Sequence, residues 1–330
     1  MSRPGIDRRD FLAATITGTA AILLQPDRAA SHVQSHASGM AERPLGSTGH
    51  RVRLFSLGGQ ATLEQPGKDA EAAAIINRAL DLGVNYVDTA AAYGRGVSQR
   101  HIGEVMKTRR REVFLASKTH DRTRDGSLRL LDESLKLLQT DHLDLWQLHN
   151  VQRMEQLDQV FGKDGAVEAL QRARAEKLVR FVGITGHFDP AVLLEGIRRY
   201  DFDTILMALN PADRHFLPFQ EQLLPEANRR RMGVIAMKIP ARGRIFRPGG
   251  LTSIKEPLTY VLSLPVSTVI IGCDNIQQLE ENVAVATSFQ QLSSAELARI
   301  EALTASYATE AAFFKRTGAG FGLPVADDQQ

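Results

Sequence analysis

The stretch Asn85-Tyr86-Val87-Asp88-Thr89-Ala90-Ala91-Ala92-Tyr93-Gly94 decides how the chain is read. Val84 to Val87 form a short apolar run behind Gly83, the pattern of a buried strand. The chain turns polar at Asp88 and then presents Tyr93 in a loop closed by Gly94. A carboxylate at the end of a buried strand, followed by a loop tyrosine, points to an active site at the mouth of a parallel sheet. A capping Asp and a packing Tyr would leave the same local pattern. The neighbouring strands decide between these readings.

Upstream, Leu54 to Leu57 is a first strand ending in Gly58-Gly59, where a ligand can approach the backbone closely. Before it, Arg43 to Val52, with Gly46 and Gly49, reads as a short hairpin. Ala72, Ile75, Ile76, Ala79 and Leu80 fall at helical spacing. Downstream, Ser98 is placed to cap a helix carrying Ile102, Val105 and Met106. Val113 to Ala116 is a strand running into Ser117-Lys118, and Asp125 is placed to cap the helix after it. Leu143 to Leu148 is a strand ending at His149, and Arg180 to Ile184 one ending at Thr185-Gly186-His187. Thr204 to Leu209, Val234 to Met237 and Thr268 to Ile271 complete the strands. Helices fall between them, and Asn275 with Gln278 has the spacing of a capping box. Eight strand–helix units over about 250 residues predict a (β/α)8 TIM barrel preceded by a short N-terminal hairpin. A doubly wound sheet would show Gly-x-Gly-x-x-Gly after its first strand, and this chain has none.

Composition is that of an ordinary globular protein: 330 residues, 43% hydrophobic, 24% charged, formal net charge +2. That charge gives no support for nucleic-acid binding. Cys273 is the one cysteine, so an internal disulfide and a cysteine metal cluster are both excluded. No metal site is expected. No apolar run reaches the roughly 18 residues of a membrane span, so no stable membrane anchor is expected.

Residues 1–41 differ from the rest. Asp7-Arg8-Arg9-Asp10-Phe11-Leu12 precedes a mildly apolar run, Ala13 to Leu24, and resembles a twin-arginine (Tat) export signal. Ser35-His36-Ala37 has the small-x-small form of a cleavage site. The expectation is export by the Tat machinery to the periplasm. The alternative is a cytoplasmic protein starting near Met40. The domain reading is therefore 1–41 signal and linker, 42–308 barrel, and 309–330 a tail holding Phe313, Phe314 and Phe321.

Asp88, Tyr93, Lys118 and His149 all fall at strand ends or in the loops after them. A tyrosine hydroxyl titrates near ~10 when unperturbed. A nearby ammonium should lower that value, and a carboxylate keeps the ammonium in place. A histidine can hydrogen-bond a carbonyl.

This constellation resembles the aldo-keto reductase superfamily. The segments that carry it are Asn85 to Gly94, Ala116-Ser117-Lys118, and Leu137-Leu138-Gln139-Thr140-Asp141-His142-Leu143-Asp144-Leu145-Trp146-Gln147-Leu148-His149. Val182-Gly183-Ile184-Thr185, Ile270-Ile271-Gly272 and Gln278-Leu279-Glu280-Glu281-Asn282 complete it. The resemblance runs from about Glu42 to Ala305. It implies a (β/α)8 barrel reducing aldehydes and ketones with NAD(P)H. Tyr93 would be the general acid, Lys118 and Asp88 would tune it, and His149 would orient the carbonyl.

The implied cofactor site departs from the family pattern. Thr185-Gly186 stands where Ser-Asn is usual, Leu206 where Gln is usual, and Met237-Lys238 where Tyr-Ser is usual. Asn210, His187 or Lys238 would have to supply the missing contacts. Lys238, Arg242 and Arg244 could close over a pyrophosphate. Gly272, Asp274, Gln278, Glu281 and Asn282 fall at the adenosine end, with Asp274 where an Arg is common in NADP users. This leans the expectation toward NAD(H). Two alternatives remain: a non-catalytic nucleotide-binding partner or sensor, and a Schiff-base lyase with Lys118 as nucleophile.

Overall fold

The computed structural model describes residues 39–315 of the chain. The expected leader and cleavage site, and the tail beyond residue 315, lie outside the described residues. A two-stranded antiparallel hairpin, β1 (Glu42–Pro44) and β2 (Arg51–Arg53), precedes the barrel. The barrel strands are β3 (Phe55–Gly58), β4 (Tyr86–Asp88), β5 (Phe114–Thr119), β6 (Leu143–Leu148), β7 (Val179–Gly186), β8 (Thr204–Ala208), β9 (Gly233–Met237) and β10 (Thr268–Ile271). They pair in parallel in sequence order, and β10 closes the ring by pairing with both β9 and β3. Helices cross over between successive strands, so both strand faces are covered and the strands are almost wholly apolar.

Alternation along each strand divides its side chains into two sets. Val87, Leu115, Trp146, Val182, Ile205 and Val234 join the large core between strands and helices. Tyr86, Phe114, Ala116, Leu145, Leu206, Ile235 and Ile270 form a separate interior cluster with Leu45 and Val52 of the hairpin. The hairpin thus plugs the N-terminal end of the barrel. His50 stacks on Phe114 at 4.5 Å, and Phe114 stacks in turn on Tyr86 and Phe181. Gly233 makes room for the plug, since a Cβ there would lie 2.8 Å from the Leu45 side chain. Two residues further along the same interior faces, the side chains turn polar: Asp88 follows Tyr86, Lys118 follows Ala116, and Gln147 follows Leu145. The period of two therefore sets the catalytic end against the plugged end.

Several local expectations need correction. Ser98 lies inside helix Val97–Arg109 rather than capping it; left-handed Gly96 is at the cap, and the Ser98 hydroxyl bonds Thr89 Oγ1 at 2.8 Å. Helix Arg124–Leu138 is capped by Thr123, not Asp125, because the Thr123 hydroxyl accepts from Gly126 N. Asn275 does cap helix Ile276–Thr287, but the Gln278 carbonyl accepts from Asp274 N, one residue before the box position. Helix Met154–Phe161 was not anticipated; Leu157 and Val160 bury its short apolar face.

The chain beyond Ala308 continues against the barrel. Phe314 is buried, and Lys315 pairs with buried Asp213 in the loop after β8 while donating to Phe216 O at 2.6 Å and Leu217 O at 2.7 Å.

Candidate active site

The four candidate catalytic residues come from three consecutive strands. Asp88 is the last residue of β4, Lys118 lies near the end of β5, and His149 directly follows β6. Tyr93 reaches the same place from the loop after β4. That loop depends on Gly94, whose φ is 57° and whose added Cβ would lie 2.2 Å from Glu64 O. No side chain fits there, so a glycine is required to turn the loop and present the ring.

The ammonium of Lys118 is the centre of the group. It forms an ion pair with Asp88, donates to Thr89 O at 2.8 Å, and lies 3.4 Å from the Tyr93 hydroxyl. Gln147 Nε2 approaches the other Asp88 oxygen at 3.5 Å. Tyr93 and His149 meet edge to face, with ring centroids 5.5 Å apart. Outside this group, Gln99 donates to Ser117 Oγ and Ser134 Oγ, both at 2.8 Å, and fixes the end of β5.

Burial dominates the electrostatics. It raises the Asp88 carboxyl above its ordinary value, with the Lys118 charge opposing. Burial by itself would lower Lys118, but Asp88 and Tyr93 outweigh it, so the ammonium stays charged and the pair is ionic. Tyr93 corrects an expectation. Burial raises its pKa above the ordinary value of 10.0, and the pull of Lys118 does not reverse this. The phenol therefore holds its proton at neutral pH. Burial, then Lys118, Arg122 and two other histidines, push His149 well below the ordinary histidine value. A neutral imidazole can donate a hydrogen bond without adding charge.

A cavity of about 670 Å³ opens beside this group. Asp88 and Tyr93 line it, together with Leu206, Met237, Lys238, Arg242, Gly272, Asp274, Gln278, Glu281 and Asn282. Thr185 and Gly186 are not on its wall. The Thr185 hydroxyl accepts from Asn150 N at 2.7 Å, and Gly186 packs against Leu193 and Val151 O. Asn210 is also engaged elsewhere: its amide donates to Lys238 O at 2.9 Å, and its carbonyl accepts from Asp213 N. His187 packs edge to face on Phe314, and burial with the nearby Lys238 lowers it to about 3. Arg244 stacks on Phe313 at 4.4 Å, whereas Arg242 faces the cavity.

The size suits a cofactor. So does the charge. Lys238, half-buried and held with φ 66°, is lowered to about 7 by burial and by Arg242 and Lys118. Two cationic side chains on one cavity wall, Lys238 and Arg242, favour a bound anion such as a pyrophosphate. Gln60, Glu64, Thr252 and Ser253 also line the cavity and were not singled out from the sequence. Gln60 follows the Gly58-Gly59 pair that had marked a close approach of ligand.

Comparison with known proteins bears on this geometry. The family model described as aldo/keto reductase family matches residues 55–247. The uncharacterized oxidoreductase YqkF of Bacillus subtilis (strain 168) is 26% identical over 311 residues, covering 80% of this chain and 97% of that protein. The L-galactose dehydrogenase of Arabidopsis thaliana is 27% identical over 304 residues, covering 79% and 93%. Among solved structures, the holo form of aldo-keto reductase AKR11C1 from Bacillus halodurans superposes with a TM-score of 0.69 at 26% identity, covering 80% of this chain and 96% of that one.

Proposed function

Because the chain belongs to the aldo/keto reductase family, as the match over residues 55–247 shows, we infer that it reduces an aldehyde or ketone with hydride from NAD(P)H and Tyr93 as general acid. The observation that carries the chemistry is the placement of the Tyr93 hydroxyl 3.4 Å from the Lys118 ammonium, on the wall of the cavity. Bound nicotinamide nucleotide supplies the hydride. Tyr93 donates a proton to the carbonyl oxygen as negative charge develops there. Lys118 steadies the phenolate that this leaves, and Asp88 keeps Lys118 charged and in position. His149, neutral, donates a hydrogen bond to the same oxygen. Met237 and Leu206 would give the nicotinamide an apolar seat, and Lys238 and Arg242 would answer the phosphates.

A Schiff-base role for Lys118 fits poorly. An imine-forming lysine needs a depressed pKa, and this one is raised and held by Asp88, Thr89 and Tyr93. A sensor without turnover would not need the proton donor.

Three finer readings belong to the same inference. The reaction is a dehydrogenase-type interconversion of carbonyl and alcohol (EC 1.1.1.-). NADH is used at least as well as NADPH, because Gly272 to Asn282 holds no Lys or Arg and Asp274 faces the cavity. The protein is exported, on the reading of Asp7 to Leu12 as a twin-arginine signal. An exported reductase would need to retain its nucleotide through folding and transport.

Mass spectrometry of nucleotide released from the purified protein, followed by an aldehyde and ketone screen with NADH and NADPH, tests the core reading. Bound nucleotide with no turnover of any carbonyl would favour the sensor. Replacing Arg8 and Arg9 by Lys should shift the protein from periplasm to cytoplasm. An unchanged distribution would overturn export.

A further inference from the structure

The loop after β5 continues Thr119-His120-Asp121-Arg122 past the catalytic lysine. It stands beside His149 and Asn150 and contributes nothing to the wall of the cofactor cavity. Arg122 donates from Nη2 to Asn150 O at 2.9 Å. Asn150 is itself held in a left-handed conformation, φ 53°, by the bond from its N–H to Thr185 Oγ1.

What Arg122 lacks is an anion. Its Nη1 is shielded from solvent and has no hydrogen-bond partner among the described residues, and the guanidinium has no ion pair with any of them. Its neighbour Asp121 is turned toward the next helix, where Oδ1 accepts from Thr123 N at 2.8 Å and from the Thr123 hydroxyl at 2.7 Å. His120 Nδ1 is likewise shielded and without a partner. Arg122 Nη1 is an unused donor and His120 Nδ1 is one in the Nδ1–H tautomer; together, in a loop beside His149, they describe a receptor for negative charge. A shielded guanidinium without a counter-ion is costly, and a bidentate oxyanion is its best partner. The residue as a whole keeps partial exposure but Nη1 does not, so a ligand reaches that nitrogen with a shift of the side chain. Burial lowers its pKa to about 10, with the Asp121 charge opposing, and this still keeps it charged.

We propose that the carbonyl substrate carries an anionic group, a carboxylate or a phosphate, which Arg122 and His120 bind while Tyr93 and His149 hold the carbonyl oxygen. The proposal rests on the reductase reading and narrows its substrate class. Arg122 is a specificity-determining residue. It binds the far end of the substrate and takes no part in proton or hydride transfer.

The test compares succinic semialdehyde and glyceraldehyde 3-phosphate with their uncharged counterparts butanal and glyceraldehyde. The wild-type enzyme should favour at least one charged member of a pair, and which pair it favours separates carboxylate from phosphate. In Arg122→Gln the charged-to-neutral ratio of kcat/KM should fall at least tenfold, with the loss in KM rather than kcat. Arg122→Lys should recover part of it, because it keeps the charge and a donor to Asn150. Circular dichroism confirms that both variants fold. Calorimetry of succinate and of inorganic phosphate with the nucleotide-loaded protein is the second measurement, and it needs no turnover. Binding lost in Arg122→Gln would support the proposal even if every aldehyde tried were inert, an outcome that would instead count against the reductase reading. A ratio unmoved by Arg122→Gln, or equal use of charged and neutral aldehydes by the wild type, overturns it.

Discussion

The Lys118 ammonium stands 3.4 Å from the Tyr93 hydroxyl, near enough to steady a phenolate once the proton has gone. Replacing Tyr93 by Phe keeps the ring and its edge-to-face contact with His149 and removes only the proton. Carbonyl reduction should fall by about 10²- to 10⁴-fold. Nucleotide affinity, measured by fluorescence titration, should stay within a few-fold of wild type. Comparable turnover in the Phe variant would remove Tyr93 from the mechanism.

The direction of the Tyr93 shift has a consequence for pH. The acid form is the active form in reduction, and burial raises its pKa above 10.0. Activity that depends on this proton is lost only as pH rises through that raised value. His149 is displaced the other way, so it stays neutral through the physiological range. The rate of carbonyl reduction at saturating cofactor should be flat between roughly pH 7 and 9. A descending limb centred near pH 8 would contradict the burial argument.

Asp274 gives a cofactor prediction. A carboxylate on the wall of the cavity repels a 2′-phosphate and can accept from a ribose hydroxyl. Asp274→Arg should raise the NADPH-to-NADH ratio of kcat/KM by about tenfold, the size of one charge-assisted contact. Arg242 lies on the same cavity and could supply that contact already. A strong preference of the wild type for NADPH would show that it does.

The C-terminal anchor can be tested by stability. Lys315 and Asp213 are both fully buried and face one another, so removing one strands the other. Lys315→Met should cost about 3–5 kcal/mol, read as a lower urea midpoint. Adding Asp213→Asn should restore part of that loss. Equal stability of the single variant and wild type would mean that the pair contributes nothing to holding the segment.

The barrel was legible because its strands are short apolar runs at regular spacing, each ending in a polar residue or glycine. Asp88, Lys118 and His149 stand out because a period of two carries each interior face from Tyr86, Ala116 and Leu145 toward the mouth. Caps were less legible. Ser98 has the right chemistry for a cap, yet its hydroxyl is taken by Thr89, a partner set by the neighbouring loop. The direction of the Tyr93 shift is not legible, because adjacency to Lys118 follows from sequence motifs, whereas the depth of burial opposing it does not. Thr185 sits at the expected strand end, but its hydroxyl is engaged by Asn150. Arg122 is hidden in the sequence for a related reason. Its neighbour Asp121 offers an obvious partner on paper, and only the fold turns that carboxylate toward Thr123.

The plugged end of the barrel also decides how the molecule can be handled. The segment that leads into the hairpin is pinned there, with Met40 O accepting from Arg53 Nη1 at 2.6 Å and Ala41 O from Leu54 N at 3.1 Å. Gly39 therefore lies at the pole opposite the chemistry. A tag, a tether or a fused partner grafted just ahead of it would leave the catalytic mouth facing outward. On a functionalised bead or electrode, coupling through that end would orient every molecule with its entrance toward the medium.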